Sequence, residues 1–260
     1  MGSLALSGIN IAEAAQRLDN ARRTRTPIEC LTAGVPDLTE GEAYAIAAAG
    51  AALVAQPVTG YKLGYTSEAM RRQMNVDRPN FGRLYAGTRI SNASALDMTV
   101  LIHPLVEPEI ALRIGDDLEV ESVMPALELV DTRYDTYTFA AVDNIADNSS
   151  AARYVLGAER SLRALGDLRS IPATLFIDGE PVATGKGSDA LGDPLRALAW
   201  LINRLARDDI TLAPGTIVLT GGLTRAYAVE HATSVKASFG ALGDVAIVCS
   251  TIRSEPYVDC

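Results

Sequence analysis

Histidine is nearly absent from this chain: 260 residues hold two, His103 and His231. That argues against a histidine-rich zinc site. Cysteine is almost as scarce. Cys30, Cys249 and Cys260 are scattered and odd in number, which argues against a disulfide framework and makes a reducing cytoplasm the expected setting. Positive charge is in deficit, with 23 Lys and Arg against 32 Asp and Glu, a net charge of −9. Nucleic acid is thereby disfavoured as a partner, because phosphate binding needs a basic surface. A small anionic substrate stays open, since a local basic pocket suffices for it. Long apolar runs are missing too. Charges interrupt every stretch before the roughly 18 residues of a membrane span, so no membrane partner is expected. The opening MGSLALSGINIAEAAQRLDN has no basic segment followed by a continuous apolar one, and no secretory signal is expected.

Apolar residues are plentiful, 48% of the chain, and allow a substantial core. Residues 8–24 carry the spacing of an amphipathic helix with a basic end, ARRTR. Thr39 and Glu42 form a capping-box pattern ahead of an Ala-rich run to about Ala55. VTGYKLGYTS alternates like a strand leaving into a turn. From about residue 99 strand-like runs dominate: VEPEIALRI, ALELVDT, ATLFIDGEPVAT, TIVLTGG and VAIVCSTI. The DG pair in FIDGEPV is a hairpin signal. One helix interrupts them, with Asp193 as N-cap, Pro194 at the first position, and Leu195, Leu198, Ile202 and Leu205 on one face. The pattern predicts an α+β protein. A helical N-terminal region, 1–98, packs on a mainly β region, 99–260, as one structural unit.

Two carboxylates stand out in LIHPLVEPEIAL. Glu107 and Glu109 flank Pro108 in an apolar run. In a strand they point to one side together, about 7 Å apart. Like charges that close repel unless a cation lies between them. Pro108 cannot donate to a ladder and predicts an edge or bulge. Glu128 sits in a second apolar run, PALELVDT. The three could form an all-oxygen site of the kind that suits Mg²⁺ or Mn²⁺. A solvated edge strand with Glu107 and Glu109 facing water fits the same residues.

VEPEIAL, PALELVDTR, VDNIADNSSAARYVLG, LGDPLRALAWLINRLA and LAPGTIVLTGGL occur here in that order. So do TPIECLTAGVPDLTEGEAYAI, GYKLGYTSEAMRRQM and VDRPNFGRL in the first half. Together they resemble the 2-hydroxypentadienoate hydratase / 4-oxalocrotonate decarboxylase family of the fumarylacetoacetate hydrolase superfamily. The resemblance runs from about residue 10 to about 250. It implies a mixed, curled β-sheet with the active site in its mouth, and a divalent metal, Mg²⁺ or Mn²⁺, on Glu107, Glu109 and Glu128. It also implies Lys62, of the GYKLGYTS motif, and Asp77, of the following loop, as proton carriers. Arg133, Asp147 and Lys186 are implied near the substrate. Arg133 reads equally well as paired with a nearby acid, and Lys186 as an ordinary loop lysine. Asp147 and Asn148, in ADNSS, read locally as a helix N-cap region.

The expected reaction is hydration of a 2-hydroxypenta-2,4-dienoate-like acid. The alternatives are decarboxylation of a 2-oxo-hex-3-enedioate-like acid, a scaffold reused as a biosynthetic cyclase or dehydratase, and a non-catalytic partner subunit. A homo-oligomer is implied as well. The chain departs from the family in three ways: its subfamily features are mixed, LIHP, DTRYDTYTF and LTGGL looking more like the decarboxylases and VDRPNFG more like the hydratases, and two departures touch the site. Leu105 stands where a basic residue is usual. Glu109 and Glu128 are only 19 positions apart, a shortened connection that predicts a more open pocket or an altered lid.

Overall fold

The side-chain oxygen of Asn10 accepts from the Glu13 N–H at 3.2 Å and starts α1 (Ile11–Thr24). Ala14, Ala15, Leu18 and Ala21 form its buried stripe. After the short α2 (Leu31–Gly34), the Thr39–Glu42 capping box starts α3 (Glu40–Val54), which α1 packs against. The computed structural model describes residues 8–250 apart from Met74. No helix among them is long and apolar enough to cross a membrane.

The remaining elements follow in chain order: β1 (Val58–Gly64), α4 (Glu68–Gln73), β2 (Asn80–Tyr85), β3 (Arg89–Ile90) and β4 (Ala95–Asp97). Next come β5 (Leu105–Ile114), β6 (Val120–Val130), α5 (Ala141–Ala146), β7 (Ala151–Leu156) and α6 (Leu162–Leu165). The chain continues through β8 (Pro172–Ile177), β9 (Glu180–Lys186), α7 (Pro194–Leu205), β10 (Ile217–Leu219), β11 (Tyr227–Ala228), β12 (Ser234–Ser238) and β13 (Asp244–Ser250). One sheet runs β2-β1-β10-β5-β6-β7-β3, with β11 also on β5; the other runs β4-β13-β12-β8-β9. Both are mixed: β1–β10, β3–β7 and β4–β13 are parallel, the other pairs antiparallel.

The division at residue 98 is not a break in the fold. Strands β1 and β2 extend the main sheet through β10, while β3 and β4 dock on β7 and β13. The first hundred residues are thus less helical than the pattern predicts, because four strands form there, three of them on partners far along the chain and β2 on β1. Helix α7 begins at Asp193 and Pro194 as expected, but its buried stripe is Ala197, Leu198, Leu201 and Leu205, and Leu195 is exposed.

Pro108 lies on an interior strand, not at an edge. β11 pairs with Leu105 and Val106, and β10 with Ala111 to Arg113. Between them the ladder is open, and Pro108 offers only its carbonyl, which accepts from Leu223 N–H at 2.9 Å. The missing N–H of proline therefore falls where no strand needs it. The shortened connection is a tight turn in which Gly115 N–H donates to the Glu119 carbonyl at 2.8 Å. It begins eight positions past Glu107, about 27 Å at strand rise. The turn is at the far end of the hairpin from the glutamates, so the shortening neither opens their pocket nor alters a lid over it.

Candidate metal centre

Strand pairing sets the carboxylates. Glu107 is directly opposite Glu128 in the β5–β6 register, and Glu109 is opposite Ala126. All three share a face with Ala111, Met124 and Ala126 of the smaller apolar cluster. One oxygen from each carboxylate lies within 4.8 Å of the others. Glu109 and Glu128 are fully buried, and Glu107 opens onto a cavity. Glu109 Oε1 and both oxygens of Glu128 find no hydrogen bond among the described residues. Burial, then the negative charge of Glu128, pushes Glu107 up to about 7. Burial, then Glu128 and Glu107, pushes Glu109 well above the usual carboxylate range. Burial raises Glu128 too, against the pull of Lys62. Two buried carboxylates and a third at the cavity, with Glu109 Oε1 and Glu128 Oε1 unpartnered among the described residues, fit a hard dication, which would satisfy oxygens and charge together.

Lys62, on β1, is buried on the same face. Its Nζ donates to the Ser149 carbonyl at 2.9 Å and Ser149 Oγ at 3.2 Å, and lies 3.2 Å from Glu128 Oε2 as an ion pair. Between β1 and β6 lie three strand spacings, about 14 Å on a flat sheet. The contact reflects the curl of the sheet. Behind Lys62 a chain of polar groups runs from Ser149 Oγ to Asn80 Oδ1 (3.0 Å), then from Asn80 Nδ2 to Asn144 Oδ1 (2.8 Å). Sequence reasoning missed Ser149. Asn148, Ser149 and Ser150 are all left-handed, with φ of 52°, 54° and 55°, and the asparagine and serines of ADNSS were the available signal for such a turn. Asp147 both ends α5 and starts the single 3-10 turn Asn148–Ser150, without a side-chain cap bond.

The Gly221–Gly222 pair closes the gap in the β5 ladder. Gly221 N–H donates to Glu109 Oε2 at 2.7 Å. Gly221 has φ +105°, and a Cβ there would lie 2.1 Å from Thr66 Oγ1. A Cβ on Gly222 would lie 2.7 Å from Glu107 Oε1. Gly221→Ala should therefore destabilise the protein by at least about 1–3 kcal/mol and weaken metal binding. Urea unfolding and calorimetric metal titration check both, and wild-type behaviour in both would refute this role for the loop.

The cavity over Glu107 measures about 910 Å³ and has Lys62 and Ser149 on its wall. The other expected site residues lie elsewhere. Asp77 has an 87% exposed side chain, 3.9 Å from Arg78 Nε. Arg78 pairs with Glu40 at the start of α3, 2.9 Å away, and holds this loop against the helix. Lys186 is exposed, and its backbone N–H is bound by Asp189 Oδ2 at 2.8 Å. Ser188 and Asp189 reach the cavity wall instead. Arg133 and Asp147 are buried and ion-paired with each other, and the guanidinium also donates to the Asp131 and Asp147 carbonyls. This pair faces a second cavity of about 170 Å³ beside α1 and α3. Burial pushes Asp147 up to about 6 against the pull of Arg133.

Residues 66–249 match the family described as "Fumarylacetoacetate (FAA) hydrolase C-terminal". The chain is 34% identical to a 2-keto-4-pentenoate hydratase of Paraburkholderia xenovorans, over 90% of this chain and 92% of the relative. It is 32% identical to a 4-oxalocrotonate decarboxylase of Pseudomonas putida, over 89% and 93%. Among solved structures, a Pseudomonas putida 4-oxalocrotonate decarboxylase complexed with magnesium and adipate superposes with a TM-score of 0.88 at 29% identity, covering 92% of this chain and 97% of that one. A fumarylpyruvate hydrolase of Pseudomonas aeruginosa shares the fold, with a TM-score of 0.60 at 17% identity over 76% of this chain and 91% of that one.

Proposed function

This chain belongs to the fumarylacetoacetate hydrolase family, and from that premise we propose that it is a divalent-metal-dependent lyase that hydrates a 2-hydroxypenta-2,4-dienoate-like acid. The observation that carries the reading is the buried Glu107–Glu109–Glu128 cluster with Lys62 against it. Glu107, Glu109 and Glu128 would hold Mg²⁺ or Mn²⁺, which supplies a Lewis acid for negative charge developing on an enolate oxygen. Hydration removes the proton of the 2-hydroxyl, adds one to the far carbon of the diene, and then adds water across the remaining conjugated double bond. Lys62 Nζ, positioned by Ser149, is the group placed to hold and return that proton. Asp77 has no part in this proposal, because its carboxylate faces solvent. The apolar wall formed by Leu105, Val130 and Phe139 limits water beside the reacting carbons.

Decarboxylation is the second reading, favoured by the 0.88 superposition on a decarboxylase. It uses the same carboxylates and leaves CO₂ and an enol in place of a hydrated product. NMR of the products from each substrate with Mg²⁺ or Mn²⁺ separates the two. A new hydroxyl-bearing carbon with all carbons retained is expected, and turnover of neither substrate would sink both readings. Retention of all three carboxylates and Lys62 speaks against a non-catalytic subunit. The scarce cysteines support a cytoplasmic setting and the resemblance a homo-oligomer, whose mass light scattering would measure.

A further inference from the structure

The cavity is far larger than a five-carbon acid needs. Its volume of about 910 Å³ is near the top of the roughly 300–1,000 Å³ range of clefts that enclose drug-sized ligands. Its wall is of two kinds. Leu105, Val130, Phe139, Leu191 and Leu223 make one part apolar. Leu105 stands two residues before Glu107 on the same face of β5, so the apolar lining begins beside the carboxylates. Arg196 and Arg225 also face the cavity. Both are exposed, and neither has an ion-pair partner among the described residues. The Arg225 guanidinium lies over the Tyr227 ring, 4.4 Å from its centroid, which orients the group without neutralising it.

The carboxylates that share this wall are already engaged. Glu68 pairs with Arg72, and Asp189 accepts the Lys186 N–H. Arg71, also on this wall, is held by the Tyr65 and Thr66 carbonyls; in a chain of net charge −9, Arg196 and Arg225, with no such partners, make a local anion site.

We propose that the substrate is a 2-oxo or 2-hydroxydienoic acid longer than about six carbons, apolar through its middle and anionic at its far end. The 2-oxo acid head meets the glutamate cluster, the body lies on the Leu105–Phe139 wall, and Arg196 and Arg225 bind the terminal anion. This rests on the metal-lyase reading for the head group and extends it to the rest of the molecule.

Calorimetric titration of the Mg²⁺-loaded full chain tests it with three probes: 2-oxopentanoate, 2-oxodecanoate and 2-oxodecanedioate. The ten-carbon monoacid should bind at least about tenfold tighter than 2-oxopentanoate, a fraction of what its extra buried methylenes allow. The diacid should bind at least about tenfold tighter again, as a desolvated charge-assisted contact allows. In the Arg196→Met/Arg225→Met double variant, with folding checked by circular dichroism, that second step should vanish. Long acids that bind no tighter than 2-oxopentanoate would overturn the inference, as would a diacid preference that survives the double substitution. Absence of Mg²⁺-dependent binding by 2-oxopentanoate is a separate result. It would strike the metal-lyase reading itself and take the inference with it.

Discussion

Glu109→Gln should sharply weaken divalent-metal binding and, without metal, make the protein more stable. The amide keeps the shape of the side chain and an oxygen for the Gly221 N–H. It removes a carboxyl group whose ionised form burial and the neighbouring Glu128 and Glu107 disfavour. Metal affinity should fall by about 100-fold or more and turnover by about 10³-fold. The metal-free melting temperature should rise by about 2–4 °C, the shift that about 1 kcal/mol gives in a chain of this size. A metal-free variant that melts below wild type would mean the carboxylates are compensated within the protein.

The same physics sets a pH dependence. Glu107 titrates at about 7 in the folded, metal-free protein against an ordinary 4.5. The folded chain therefore holds protons that the unfolded chain has released. The stability that this proton contributes to the metal-free protein is fully present below about pH 4.5 and is lost as pH rises through 7. Metal must displace those protons, so its affinity should climb with pH across the same window, about tenfold per unit for each proton released. Titrations at several pH values check this, and a flat profile between pH 6 and 8 would contradict it.

Lys62→Met should lower kcat by about 10² to 10⁴-fold, the range for loss of a positioned acid–base group, while metal still binds. The side chain is buried, and its Nζ reaches Ser149 and Glu128. Methionine has similar length and no proton to exchange. Lys62→Arg separates two roles for the charge. Arginine stays protonated at any working pH, so it preserves the attraction to Glu128 but cannot return a proton. An active Lys62→Arg enzyme would reduce the lysine to an electrostatic support and remove it from proton transfer.

Much of this was legible in the residues themselves. The caps at Asn10, Thr39 and Asp193 are local, and local chemistry starts those helices. The hairpin at Asp178–Gly179 follows from two left-handed residues. Glu107 and Glu109 sharing a face needs only the period of a strand. That Glu128 lies opposite Glu107 depends on register over a turn, which motif order supplied and spacing did not. Arg133 pairs with a nearby acid, one of its two readings, whereas a place for it and Asp147 beside the substrate could not be read locally, because no local signal says which side of a sheet a buried ion pair faces. Asp77 failed for a similar reason: its loop is set by Arg78 reaching back to Glu40. The tight turn at Gly115 misled through chain distance, since a gap in sequence says nothing about which end of a hairpin it falls on.

The hydrogen bonds that build the centre span most of the chain. Lys62 and Ser149 are 87 positions apart, and Gly221 and Glu109 are 112 apart. Such contacts close large loops, whose entropy must be overcome before any of them contributes. No fragment of this protein can carry the site. A newly made chain can gain it only after β10 and the Gly221 loop have emerged, so the centre belongs to the last stage of folding.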